Sequence, residues 1–188
     1  FNRFKNKASP MELPYMKIFI NQAKIQEFYL DNVILVTSPN NNGVILENFS
    51  FTNNHLSMKG NGKWIVSNDK GVTFFDTRFK SDNFGTALNS LGFSGLIKKG
   101  TLDSQLIGQW QGSPEMFGFS SFDGKVILDM KNGEFLQVTK ETKAIGKLLG
   151  LLSISSLQKR LTLDFSDFFS SGLSFENVKG ELIFDNSK

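Results

Sequence analysis

Over most of this chain the apolar residues recur at every second position. LSMKGNGKWIV places Leu56, Met58, Gly60, Gly62, Trp64 and Val66 on one side. TLDSQLIGQW places Leu102, Leu106 and Trp110 on one side and Asp103, Gln105 and Gln109 on the other. KVILDM groups Val126, Leu128 and Met130; RLTLDF groups Leu161, Leu163 and Phe165; VKGELIF groups Val178, Leu182 and Phe184. A period of two is the signature of a strand with one apolar and one wetter face. Antiparallel sheets are its usual home.

The punctuation between these runs agrees. SPNNNG, TNNH, GNG, SNDKG, FDG and KNG are rich in residues that tolerate the backbone angles of tight turns. Runs separated by turn signals at about ten-residue spacing predict a meandering all-β sheet. Twenty phenylalanines suit pleated surfaces. The expectation is a mainly β fold, a curved and twisted antiparallel sheet that forms a U-shaped groove or a partly closed barrel. One unit spans 1–188, with 1–78 meandering.

Two segments depart from the period. In SDNFGTALNSLGF, Asp82 is the expected N-cap, Phe84, Leu88 and Leu91 follow at helical spacing, and Gly92 ends the turn. This predicts a helix over 83–91. In KETKAIGKLLGLLS, Ile145, Leu148, Leu149 and Leu152 lie on one side while Lys140, Lys143 and Lys147 lie nearly opposite. This predicts a second amphipathic helix over 140–152, packed on the sheet or capping it, with docking to a membrane surface as an alternative.

The chemistry of the chain is sparse. It has no cysteine, which removes thiolate catalysis, disulfides and cysteine-based metal sites. Its single histidine, His55, lies in the turn FTNNHLSM with no nucleophile at a catalytic spacing. Asp164 and Asp167, and Asp123 and Asp129, sit where aspartates solvate or cap. No catalytic residue, metal site or cofactor is expected. The net charge of +3 is small and its basic residues are scattered, which argues against nucleic acid as a partner. The best apolar run, Ala144 to Ile154, is shorter than the ~18 to 20 residues of a membrane span.

What remains is a large amount of one-sided apolar strand that two short helices cover poorly. Such a face needs a second sheet, helices or a ligand. A trough lined by leucine, phenylalanine, methionine and tryptophan suits acyl chains, which need burial and little hydrogen bonding. The expected groove residues are Leu56, Met58, Trp64, Leu102, Leu106, Trp110, Val126, Leu128, Leu161, Leu163, Phe165, Leu182 and Phe184. The expected capping helix uses Ile145, Leu148, Leu149 and Leu152.

From Phe79 onward the order of motifs adds a resemblance. GSP after QWQ, the GKLLGLLS segment and RLTLDFSDFFSSGLSF form a series that resembles the C-terminal region of the YhdP-type, AsmA-like proteins. It covers about 110 residues, 79–188; Gln158 stands where the family pattern would place a proline. The resemblance implies a bridge-like lipid-transport protein of the Gram-negative envelope. It implies a long parent chain, of which this is a piece, anchored in the inner membrane and extending through the periplasm. A U-shaped β-groove would carry phospholipid acyl chains toward the outer membrane and support its barrier. The remainder of the parent would adjoin the sheet, whose open edges would also permit self-association. Two other readings stand beside it: a structural or docking domain whose own helices fill the groove, and a small-ligand carrier or barrel enzyme.

Overall fold

In the computed structural model, residues 9–25, 28–68, 70–90, 94–118, 120–136 and 172–185 are described. Eight strands form one antiparallel sheet in sequential order. They are β1 (Met16–Ile25), β2 (Phe28–Asn40), β3 (Gly43–Thr52), β4 (Leu56–Ser67), β5 (Lys70–Ser81), β6 (Ile97–Gln111), β7 (Asp123–Phe135) and β8 (Leu173–Phe184). The connection between β5 and β6 carries one α-helix, α1 (Phe84–Ser90). Short 3-10 turns lie at Pro10–Glu12 and Pro114–Met116. Among the described residues no helix is long and apolar enough to cross a membrane.

The meander follows from the turn chemistry, with two corrections. Asn41 and Asn42 turn β2 into β3, and Asn68, at φ 51°, lies between β4 and β5. GNG, however, is not a turn: Gly60, Asn61 and Gly62 pair with Thr77, Asp76 and Phe75 in mid-sheet. KNG likewise lies inside β7. There Asn132 at φ 54°, facing Lys99 at φ 58° and Gly100 at φ 80°, marks an irregularity in the β6–β7 pairing rather than a reversal. Glycine and asparagine relax a strand as readily as they reverse one.

The sheet is open. Among the described residues β1 and β8 are its edges and are not paired to each other, so the sheet is not closed into the barrel that stood as the alternative to a groove. The helix expected over 83–91 is present, but its cap is Asn83, not Asp82. The Asn83 Oδ1 accepts the Thr86 N–H at 3.2 Å, while Asp82 lies 3.0 Å from the ring of His55. The second predicted helix, with Ile145, Leu148, Leu149 and Leu152, and the predicted strand of Leu161, Leu163 and Phe165 lie outside the described residues.

Strand register divides the sheet into two unlike faces. Opposed residues share a face. The pairs Met58–Phe79, Trp64–Thr73, Thr77–Leu106 and Leu106–Val126 therefore place β4 to β7 residues together. Phe51 opposite Met58 and Val44 opposite Trp64 extend this face to β3. Leu182 opposite Val126 and Val178 opposite Met130 extend it to β8. It is the apolar face. The other face carries ion pairs: Arg78 and Lys80 with Asp103, Lys98 with Glu134, Lys125 with Glu181, and Lys179 with Asp129. α1 packs on the apolar face, where Phe84 and Leu88 meet a buried cluster of Ile97, Leu102 and Met130.

Candidate functional site

A cavity of about 520 Å³ lies on the apolar face. Its lining comes from Met16 of β1, Leu35 of β2, Leu46 and Phe49 of β3, Met58 and Trp64 of β4, Phe75 and Phe79 of β5, and Leu106 and Trp110 of β6. It therefore runs across strands rather than along one. At ~4.8 Å between neighbours, five strand spacings give a length of about 24 Å.

Its floor is shaped by small residues. A Cβ on Gly60 would meet the Thr77 Oγ1 at 2.6 Å and the Asp76 carbonyl oxygen at 2.8 Å. A Cβ on Gly62 would meet the Phe74 carbonyl oxygen at 2.2 Å. These glycines let β4 approach β5 closely between Met58 and Trp64; they do not line the cavity, whose floor holds Thr73 and Thr77. Thr73 and Thr77 are fully buried in the same floor. The Thr73 hydroxyl donates to the Gly112 carbonyl at 2.8 Å, which offsets its burial.

Beyond β6 the protein covers part of the same face, while over β8 Leu182 stays 43% exposed. Toward one end, α1 covers Leu102, Leu128 and Met130. Toward the other, the connection between β6 and β7 folds over the face. The Trp110 indole N–H donates to the Ser113 carbonyl at 3.0 Å. The Ser113 hydroxyl donates to Glu115 and holds its carboxyl below the usual range. Phe117 packs edge-on against Trp110, with ring centroids 5.1 Å apart, and 5.8 Å from Phe122. Phe122 is wholly buried and lies 5.5 Å from Phe184. Its ring sits on the paired glycines Gly108 and Gly124, where an added Cβ would come within 2.5 Å and 2.8 Å of it.

The residues predicted for a groove fall accordingly. Leu56, Met58, Trp64, Leu102, Leu106, Trp110, Val126, Leu128, Leu182 and Phe184 all occupy the apolar face. Met58, Trp64, Leu106 and Trp110 line the cavity. Leu102 and Leu128 belong to the cluster under α1, and Phe184 contacts Phe122. Sequence reasoning missed the contributions of β2 and β3, because register shifts between Val36 and Thr37 and between Leu46 and Phe49 break the alternation. It also missed β5, where the adjacent Phe74 and Phe75 hide the phase that Thr73, Phe75, Thr77 and Phe79 keep. Phe122 was hidden inside an apparent turn, FDG.

The opposite face has two depressions of about 620 and 630 Å³, one bordered by Glu47, Lys59, Asp76, Arg78 and Lys80, the other by Ile45, Lys63, Phe74, Ile107 and Gln109. Arg78 grips Asp103 with two bonds of 2.7 Å. That hydrogen bonding lowers the Asp103 carboxyl and raises the Arg78 guanidinium from their ordinary values. Gln105 donates to Asp76 at 2.7 Å. These are ladders between strands that hold the sheet's wet side.

Comparison with known proteins fits this asymmetry. A family model described as YhdP protein matches residues 3–187. The intermembrane phospholipid transporter YhdP of Escherichia coli (strain K12) is 22% identical over 138 residues, which is 73% of this chain and 10% of that protein. The chain thus spans about a tenth of the length of this curated relative. No solved structure matches.

Proposed function

Since the chain belongs to the YhdP family, we propose that its sheet is one segment of a conduit for phospholipid between the inner and outer membranes of a Gram-negative envelope. In this reading the apolar face is the inside of a U-shaped groove that lies in the periplasm. Acyl chains lie on it and head groups stay in water. The parent chain is anchored in the inner membrane, and its flow of lipid supports the outer-membrane barrier. The segment is non-catalytic: it lowers the cost of moving hydrocarbon through water and forms no bond.

The observation that carries the reading is the cavity that crosses β1 to β6. Burying apolar surface is worth ~25 cal/mol per Å², and this cavity offers a bound chain apolar side chains with little competing polarity. A path that crosses strands can continue into any further strand added at an edge, whereas a pocket between strand ends cannot. Among the described residues the ion pairs between strands lie on the other face and keep that side in water.

A second reading has its own support. The covering of part of the face over β6 to β8 by α1 and Phe122 is what a self-filled structural or docking domain would have. Native mass spectrometry of the freshly purified chain separates the two. Phospholipid retained at gentle collision energy is the expected result. A chain that carries no lipid after purification, and takes none from phosphatidylglycerol vesicles, would leave the structural reading in its place.

A further inference from the structure

The apolar face changes character along β1 and β2. The opposed pairs Met16–Thr37, Ile18–Leu35 and Ile20–Val33 are followed on the same face by Gln22–Asp31 and Lys24–Tyr29. Met16, Leu35 and Thr37 line the apolar cavity. The last two pairs are polar, and Tyr29 and Asp31 border a second, smaller hollow of about 220 Å³. Asn53, His55, Thr86 and Ser90 complete its border. Thr86 and Ser90 belong to α1, which packs on the apolar face, so the hollow lies on that side of the sheet. The Asp31 Oδ1 accepts the Gln22 amide at 3.1 Å. Among the described residues no cation pairs with this carboxylate, and no lysine or arginine borders the hollow. The Lys24 ammonium is turned to the Tyr29 ring, 5.2 Å from its centroid.

Resting on the conduit reading, we propose that this hollow is a head-group subsite for a phospholipid whose acyl chain occupies the cavity, and that it favours a head group ending in an ammonium, which Asp31 receives. The spacing fits. Leu35 and Phe49 line the cavity, and Asp31 and Asn53, each four residues away in the chain, border the hollow. At ~3.3 Å per residue the separation is about 13 Å. The polar layer of one bilayer leaflet is about 5 to 8 Å deep. A head group in the hollow therefore leaves its first methylenes beside Val33 and the rest of the chain in the cavity. At ~30 Å³ for a water-sized group, the hollow holds roughly seven such groups. That is room for a phosphate and an ethanolamine and not for a second acyl chain. An ammonium brings three donors, and the Asp31 carboxylate and the hydroxyl and amide oxygens around it are acceptors. A glycerol head group brings no cation to that carboxylate. A preference of a few-fold leaves the lipid free to move on, as a conduit requires.

The test offers the chain mixed vesicles of phosphatidylethanolamine and phosphatidylglycerol, equimolar and with identical acyl chains, and reads the bound lipids by native mass spectrometry. The expected result is phosphatidylethanolamine enriched about two- to five-fold, the range for one partly exposed ion pair. Asp31→Asn, which keeps an oxygen for Gln22, should melt near the native temperature, bind as much lipid in total and show no preference. Glu47→Gln removes a carboxylate from the opposite face and should keep the preference. Equal binding of the two lipids by the unmodified chain would overturn the head-group subsite while leaving the conduit intact. A preference that survives Asp31→Asn, or that Glu47→Gln abolishes as well, would remove Asp31 from the role assigned to it. O-Phosphoethanolamine retained in the absence of lipid would make the hollow a site for a soluble amine instead. No lipid of either kind bound would overturn the conduit reading, and the subsite with it.

Discussion

Leu106 and Leu102 are four residues apart on the same strand and the same face, yet a charge at each should have opposite consequences. Leu102 is 7% exposed and lies in the cluster with Ile97 and Met130 beneath α1. Truncating such a leucine costs ~2 to 5 kcal/mol. A glutamate adds the cost of an unpaired charge in an apolar site, several kcal/mol more. Domains of this size have ~5 to 15 kcal/mol of folding free energy. Leu102→Glu should therefore consume most or all of it.

Leu106 is half-buried, faces Thr77 and Val126 across the strands, and borders the cavity. Removing its partial burial costs about 1 kcal/mol, half the value for full burial of such a side chain. The new carboxylate can face the cavity and stay hydrated. Urea denaturation followed by tryptophan fluorescence should show a small shift in midpoint for Leu106→Glu and loss of the cooperative transition for Leu102→Glu. Photo-crosslinking to phosphatidylglycerol vesicles, with p-benzoylphenylalanine placed at Leu46, should lose lipid adduct for Leu106→Glu. Gln111→Glu, on the exposed opposite face, serves as the control; Gln105 does not, because it is bonded to Asp76. If Leu106→Glu unfolds the chain as thoroughly as Leu102→Glu, the face over β4 to β6 is closed core and no path crosses it.

Gly108→Ala should destabilise by ~1 to 3 kcal/mol, since the new methyl meets the Phe122 ring and the Asp123 carbonyl oxygen, both at 2.5 Å. Gly180→Ala, with nothing within 4 Å, should be neutral or slightly stabilising; thermal melting of the pair distinguishes a seat from mere glycine tolerance. Asp103 has a folded-state pKa below its unfolded value, so its stabilising contribution is present above the ordinary carboxylate range and is lost as pH falls through that range. The melting difference between the parent and Asp103→Asn should thus shrink toward zero on acidification below about pH 4, and a difference that grows would contradict the Arg78 pairing. The edge strand β1 exposes Ile18, Phe19 and Ile20. Self-association in sedimentation should rise with concentration and fall on Phe19→Lys, as charge on an edge strand blocks pairing.

The strands that were legible in the sequence are those without irregularities through their apolar runs. β4 keeps an unbroken register with β5 from Leu56 to Ser67, and every apolar position assigned there holds. β2 and β3 shift phase within their own length, so no fixed period could assign Leu35, Leu46 and Phe49 to one face. Glycine was ambiguous for a physical reason. GNG and FDG meet the backbone demands of a turn, but what places Gly60, Gly62 and Gly124 in strands is the neighbour each must admit, and that neighbour is remote in sequence. The α1 cap failed by one residue because Asp82 has a competing partner in His55 from another loop. Local propensity cannot see such a partner.

The distribution of small residues also bears on the proposed conduit. A closed core excludes voids, and its facing positions carry interlocking large side chains. Under α1 the face does this, with Phe79, Leu102, Leu128, Met130 and Phe175 in one cluster. Over β4 and β5 it does not. There Thr73 and Thr77 form the floor, and larger residues stand around it. A floor of threonine with walls of leucine, phenylalanine and tryptophan is a poor way to pack a sheet against itself. It suits the proposed conduit, which has to leave room for a flexible hydrocarbon chain. The one sheet therefore combines two solutions to the same exposed apolar face. The boundary between them runs at β6, where Trp110 and Phe117 meet.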